Sequence, residues 1–251
     1  MTSSHLILAI IVFFASVLSG MSGGAGGMIS IPAAIYLGFP PVQVLASMKF
    51  GGLGISLGSF LRFRKEDNLI DKKLVLTLSI FGGLSALVGS LLLVKFQADS
   101  NSLEKMVGWV IILVLPFIIF KKKLNRLSNS KTTKLKKTVG YGLLSFLITL
   151  QSAMGSGVGF LQYLVLNQFL SLRPIVAVAT RRVMQLVVAV ISLAVYIKTG
   201  LVDYKLGLIL FIATSLGGYL GSHIAVKKGD DFIEKAIVVI SLIMAISLIL
   251  R

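Results

Sequence analysis

The stretch "SGMSGGAGGMISIP", residues 19–32, sets five glycines within eight residues, Gly20 to Gly27, at the end of the apolar run "LILAIIVFFASVL". Glycine weakens a helix, and a backbone N–H or C=O left unpaired in hydrocarbon is costly. Irregular backbone at membrane depth therefore survives only where it lines a cavity or is buried in protein. The membrane itself follows from composition. The 251 residues are 56% hydrophobic and 14% charged, with a mean hydropathy of +0.95. A soluble domain of that length would expose too much apolar surface, so the chain reads as a multi-pass protein of the cell membrane, with the lipid bilayer as its first partner.

Several function classes fall away at once. With no cysteine there is no disulfide frame, thiolate nucleophile or cysteine metal site. Two histidines and nine acids, most of them between apolar segments, argue against a metal cluster. The net charge of +16 sits at the ends of apolar segments, where it is a topology signal and not a nucleic-acid face. The opening "MTSSH" lacks the basic start of a cleaved signal peptide, so the first segment is expected to stay.

The pattern occurs twice. "LIDKKLVLTLSIFGGLSALVGS" from Leu69 answers "LVDYKLGLILFIATSLGGYLGS" from Leu201 at an offset of 132. "SGGAGG" answers "GSGVGF", with Gly24 over Gly157 and Gly26 over Gly159 at an offset of 133, followed by Pro41 over Pro174, Ala46 over Ala179 and Lys49 over Arg182. A run of matches in one order reads as internal duplication, common among membrane transporters. The expected fold is an all-α polytopic membrane protein: repeat 1 over 1–121, a basic cytoplasmic linker over 122–138, and repeat 2 over 139–251. Each repeat is a glycine-broken, hairpin-like segment followed by three transmembrane helices. The broken arms fall at 6–20 and 28–38, and at 139–154 and 158–170. The full spans fall at 42–62, 74–95 and 104–121, then 174–198, 205–226 and 231–250.

Loop charge orients the chain. Five Lys or Arg in 62–73 and eight in 121–137 place both loops in the cytoplasm. If each broken segment is a hairpin, the copies are inverted and 17 basic residues lie inside against 5 outside; if each crosses once, the copies are parallel and the tally is 16 to 6. Both satisfy the rule, and the short arms favour inversion. Asp71 and Asp203, each opening a span, read as helix N-caps.

Buried cations are the second clue. Lys49 stands eight residues past Pro41 and Arg182 eight past Pro174, about 12 Å along their helices and too deep for easy snorkelling. Arg181 adjoins Arg182, and Gln185 lies one turn on. No acid shares those spans, and intramembrane charges mark a pathway or a pair, so the cluster calls for an anion. Helix N-termini at the breaks, such as the one near Met28, would favour the same charge. The alternative for the glycines is close helix packing through small residues.

At these residues the chain resembles a known family. A glycine-rich break, a proline, and "VLASMKFGGLGISLGSFLRF" running into "NLID", repeated as "VAVATRRVMQLVVAVISLAVYIKTGLVD", is similar to the TauE/SafE (TSUP) sulfite and organosulfonate exporters. In the first copy Ala46-Ser47-Met48-Lys49 keeps the lysine of the family pattern and lacks its asparagine; the second reads Ala179-Thr180-Arg181-Arg182. The resemblance implies transport of small sulfur-containing anions coupled to the proton-motive force, with no cofactor, no enzymatic step and room for a homo-oligomer. The substrate-binding residues expected from residues and resemblance together are Gly23, Gly24, Gly26, Gly27, Lys49, Gly155, Gly157, Gly159, Arg181, Arg182 and Gln185. Two other functions compete. One is an anion channel. The other is an intramembrane serine protease of the rhomboid type, because "GMSG" at Gly20–Gly23 fits G-x-S-G, with Ser22 as nucleophile and His223 as base.

Overall fold

The computed structural model describes residues 3–24, 26–96, 134–154 and 159–249. The span expected at 104–121, most of the linker, Gly155, Gly157 and Arg251 lie outside the described residues. Among the described residues eight helices run in the order α1 (Ser3–Ser22), α2 (Gly27–Tyr36), α3 (Pro41–Phe63), α4 (Lys72–Phe96), α5 (Lys134–Met154), α6 (Gly159–Gln168), α7 (Pro174–Lys198) and α8 (Tyr204–Ile249). Among the described residues there is no strand. Five of these described helices are long and apolar enough to cross a membrane: α1, α3, α4, α7 and the stretch Tyr204–Ile237 of α8. Along α4 an exposed stripe of Leu76, Ile80, Leu84, Val88 and Leu91 fits lipid contact.

Local sequence sets the boundaries. Pro41 and Pro174 occupy the first turns of α3 and α7, where the missing N–H costs nothing. Asp71 Oδ1 accepts from the backbone N–H of Lys73 at 2.9 Å and Leu74 at 3.1 Å, and Asp203 Oδ1 accepts from Leu206 N at 3.0 Å. Both are the N-caps expected. The 46 residues of α8 would make a rod of about 69 Å, roughly twice a bilayer core. The helix is broken at Gly229, whose φ of 76° and ψ of −170° are non-helical, between the spans expected at 205–226 and 231–250.

The broken segments fold back. α1 is longer than its expected arm, 20 residues from Ser3 to Ser22, so length alone does not separate a hairpin from a crossing. Contacts do. A Cβ on Gly26 would lie 2.6 Å from Ala15 O and 2.9 Å from Ser19 Cβ, so α2 starts alongside the last turns of α1. Beyond α2, the Phe39 ring meets His5 at the start of α1, with centroids 5.0 Å apart, edge to face. Similarly, a Cβ on Gly140 near the start of α5 would lie 2.8 Å from Leu170 Cδ1, just past α6.

Helix directions follow from paired contacts. α3 runs against α7: Lys49 lies over the Tyr196 ring, while Gly52 faces Ala189. α3 runs with α8, from Ser47 bonding Asp203 to Arg62 bonding His223. α1 also runs with α8, since Gly217 faces Phe13 O and Gly221 faces Val17 O. α4 runs with α5, from stacked Phe81 and Tyr141 to Gly89 against Thr149 O. Glycines allow the close approaches: a Cβ on Gly218 would lie 2.6 Å from Ile55 O, so α3 and α8 touch backbone to backbone. Small-residue packing thus joins α8 to α1 and α3. At one end of the molecule Arg62 pairs with Glu66 at 2.8 Å, and Arg173 pairs with Asp230 at 2.9 Å.

Candidate functional site

The two breaks meet. Gly24 has φ +148°, and a Cβ there would lie 2.8 Å from the carbonyl carbon of Gly159 and 2.9 Å from Arg181 Cζ. A Cβ on Gly159 would strike Arg181 Nη2 and sit 2.8 Å from Gly24 O. The Arg181 guanidinium therefore lies between two backbones that only glycine brings so close. Gly23, at φ +77°, packs on Val178 and Tyr163.

Beside this contact lies a cavity of about 50 Å³. Its wall takes Ser16 and Ser19 from α1, Gly24, Gly26, Gly27 and Ser30 from the first break and α2, Met48, Gly51 and Gly52 from α3, Gln151 from α5, and Arg181, Arg182 and Gln185 from α7. Among the described residues, no carboxylate is part of that wall. Arg181 and Arg182 are each 2% exposed. Arg181 Nη1, Arg182 Nε and Gln185 Oε1 are buried without a hydrogen-bond partner among the described residues, an unusual state for buried polar atoms.

Two of the cations are held by helix ends. Arg182 Nη2 donates to the backbone oxygen of Ser19 and, at 2.9 Å, to Ser19 Oγ. Lys49 Nζ donates to Gln151 O at 2.9 Å and lies 5.8 Å from the centre of the Tyr196 ring. Ser19 and Gln151 occupy the last turns of α1 and α5, where carbonyls point out of the helix and the dipole's negative end lies. Tyr196 in turn donates its hydroxyl proton to Ser152 O.

Of the residues singled out in the sequence, Gly24, Gly26, Gly27, Arg181, Arg182 and Gln185 line the cavity. Gly159 backs Arg181, and Lys49, 8% exposed, stands behind the wall with its charge on α5. Sequence reasoning missed Gln151, Gln162, Ser16, Ser19 and Ser30. Their signal was present as lone polar side chains in apolar arms, such as "ITLQSAM" and "GFLQYLVL". The protease pair is engaged elsewhere: Ser22 Oγ donates to Leu18 O at 2.9 Å, and His223 Nδ1 accepts from Arg62 Nε at 3.1 Å.

A family model described as sulfite exporter TauE/SafE matches residues 8–248. The chain belongs to the TauE/SafE family. It is 28% identical to a probable membrane transporter protein of Haemophilus influenzae over 97% of this chain and 93% of that one. It is 27% identical to probable membrane transporter protein ORF9 of a Sinorhizobium species, over 98% of this chain and 93% of that one. Against probable membrane transporter protein YfcA of Escherichia coli K12 the identity is 26%, over 98% and 91%. No solved structure matches the chain significantly. As a TauE/SafE member with five helices among the described residues able to cross a bilayer, the chain is a multi-pass membrane transporter, and the paired breaks and buried arginines lie within the part the family model covers.

Proposed function

We propose that this TauE/SafE protein carries small sulfur-containing anions, sulfite or an organosulfonate, out of the cell at the expense of the proton-motive force. The observation that carries the reading is a cavity walled, among the described residues, by two buried arginines and no carboxylate. An anion there would receive hydrogen bonds from Arg181 Nη1 and Arg182 Nε, each charge-assisted bond contributing about 1.5–3 kcal/mol. The α2 N-terminus at Gly27, whose glycine neighbours line the same wall, adds the positive end of a helix dipole. A volume of about 50 Å³ suits a small oxyanion and not a large metabolite, since one water occupies about 10–15 Å³ by such a measure. The sulfur chemistry and the outward direction rest on the family's description.

The two halves read as inverted copies that trade the same contacts. Lys49 and Arg182, 133 residues apart, reach Gln151 and Ser19, which are 132 apart. Gly89 faces Thr149 O, and Gly221, 132 residues on, faces Val17 O. Equivalent α3 and α7 run oppositely, and two folded-back segments precede the spans, which supports inversion over parallel copies. Single cysteines are clean probes because the chain has none. Asp67→Cys and Lys227→Cys should resist an impermeant thiol reagent added outside cells, while Thr199→Cys should label. Labelling of Lys227→Cys with protection of Asp67→Cys and Thr199→Cys would favour parallel repeats.

The function is tested by flux of labelled sulfite and taurine in proteoliposomes under an imposed proton gradient. Saturable flux, abolished by a protonophore and accelerated by unlabelled sulfite on the far side, is expected. Flux that neither saturates nor shows counterflow would make the protein a channel. Absence of movement for any small anion would remove the reading.

A further inference from the structure

Arg181 is the exception among the three buried cations. Lys49 and Arg182 are held by backbone oxygens at helix ends. Arg181 is held by a neutral side chain, its Nε donating to Gln162 Oε1 at 3.0 Å. Gln162 is fully buried on α6 and is not part of the cavity wall. Its amide is fixed from the other side, because Nε2 donates to Gln151 Oε1 at 2.7 Å across the second hairpin. With the nitrogen engaged there, the oxygen is the end that faces Arg181. The guanidinium is thus gripped by its Nε edge, flanked by Gly24 and Gly159, and Nη1 is left buried without a partner among the described residues.

Resting on the anion reading above, we propose that Gln162 is a positioning residue that aims Arg181 at the anion without neutralising it. A carboxylate in its place would grip the same Nε at least as firmly, but it would pair with the charge and leave less for a ligand. An apolar residue would leave the charge but release the orientation. An amide satisfies both needs. The first half offers no equivalent: 133 residues earlier, Met48 stands for Arg181 and Ile29 for Gln162. The aimed charge therefore comes from one side of the site, and anion selectivity is set on α6 and α7.

The test uses the full chain in proteoliposomes, with sulfite and taurine as probes, and compares Gln162→Glu with Gln162→Met. In Gln162→Glu the Gln151 amide can rotate to donate to the new carboxylate, so both hairpin arms stay joined. Its KM for sulfite should rise by about 10-fold or more, with Vmax and the anion-free melting temperature near wild type. Gln162→Met, which loses both hydrogen bonds but keeps Arg181 charged, should raise KM less while melting lower. A residue that merely clamps the hairpin gives the reverse order, and that order, or an unchanged KM in Gln162→Glu, overturns the assignment. Should Gln162→Glu not accumulate folded, Gln162→Asn decides, since its shorter amide cannot reach Arg181 Nε: a raised KM supports the role and a wild-type KM overturns it. Wild-type protein that moves no small anion would defeat the transport reading and this assignment together. Wild-type flux with normal KM in the variants would defeat the assignment alone.

Discussion

Gly159→Leu is expected to abolish anion transport while leaving folded protein in the membrane. Even the first carbon of the new side chain would meet Arg181 Nη2 and lie 2.8 Å from Gly24 O. The guanidinium can swing away, but the Gly24 backbone, already at φ +148°, cannot yield without moving the first hairpin. Both consequences act on the group proposed to face the anion, and misplacing such a group by about 1 Å can cost roughly 100-fold. Gly24→Leu should behave alike, because its Cβ meets Arg181 and the Gly159 backbone from the other side. Gly159→Ala should retain a small fraction of the flux, since one methyl displaces less. Gly142, with nothing within 4 Å of a Cβ, supplies the control, and Gly142→Ala should transport as wild type. The measurements are sulfite flux and a monodisperse elution profile for each purified variant. Normal flux in Gly159→Leu would make the meeting of the breaks a packing detail remote from any site.

The burial of the cations was legible because it needs only a proline that starts a helix and a count of residues beyond it. Lys49 and Arg182 are accordingly only 8% and 2% exposed. What holds them was not legible. Their acceptors are backbone oxygens 102 and 163 residues away in sequence, and a carbonyl leaves no mark in residue identity. Counting acids therefore overstated how much of the charge awaited a ligand: the C-terminal turns of α1 and α5 supply negative ends that no Asp or Glu announces. The glycine breaks were plain, yet arm length misjudged α1, which continues back to Ser3 because no helix breaker precedes Leu6. Fold-back became visible only in tertiary contacts such as His5 with Phe39. The part played by Gln162 was hidden for a related reason, although the residue itself stood out in its apolar arm. One polar residue in an apolar arm carries no meaning until its two partners, Gln151 and Arg181, are known.

Lys49→Met and Arg182→Met are expected to fail in different ways. Arg182 lines the cavity and tethers α1; Lys49 only tethers α5. Each tether joins one half of the chain to the hairpin of the other, so on the carrier reading proposed above each would resist the relative motion of the halves and select among conformations. Losing a charge-assisted hydrogen bond of about 1.5–3 kcal/mol would shift such an equilibrium by about 10-fold or more. Transport should slow by that order in both variants. Anion affinity should part them: Arg182→Met should weaken sulfite binding by about 10-fold or more, whereas Lys49→Met should leave it within about 3-fold, because the lost charge faced a carbonyl and an aromatic ring. Affinity is read as the concentration dependence of the melting shift with added sulfite, which reports binding whatever the direction of transport. Equal losses of affinity would bring Lys49 to the anion after all. Unchanged affinity in both would leave Arg181 as the single cation of the site and would place the function of Arg182 wholly in holding the hairpin.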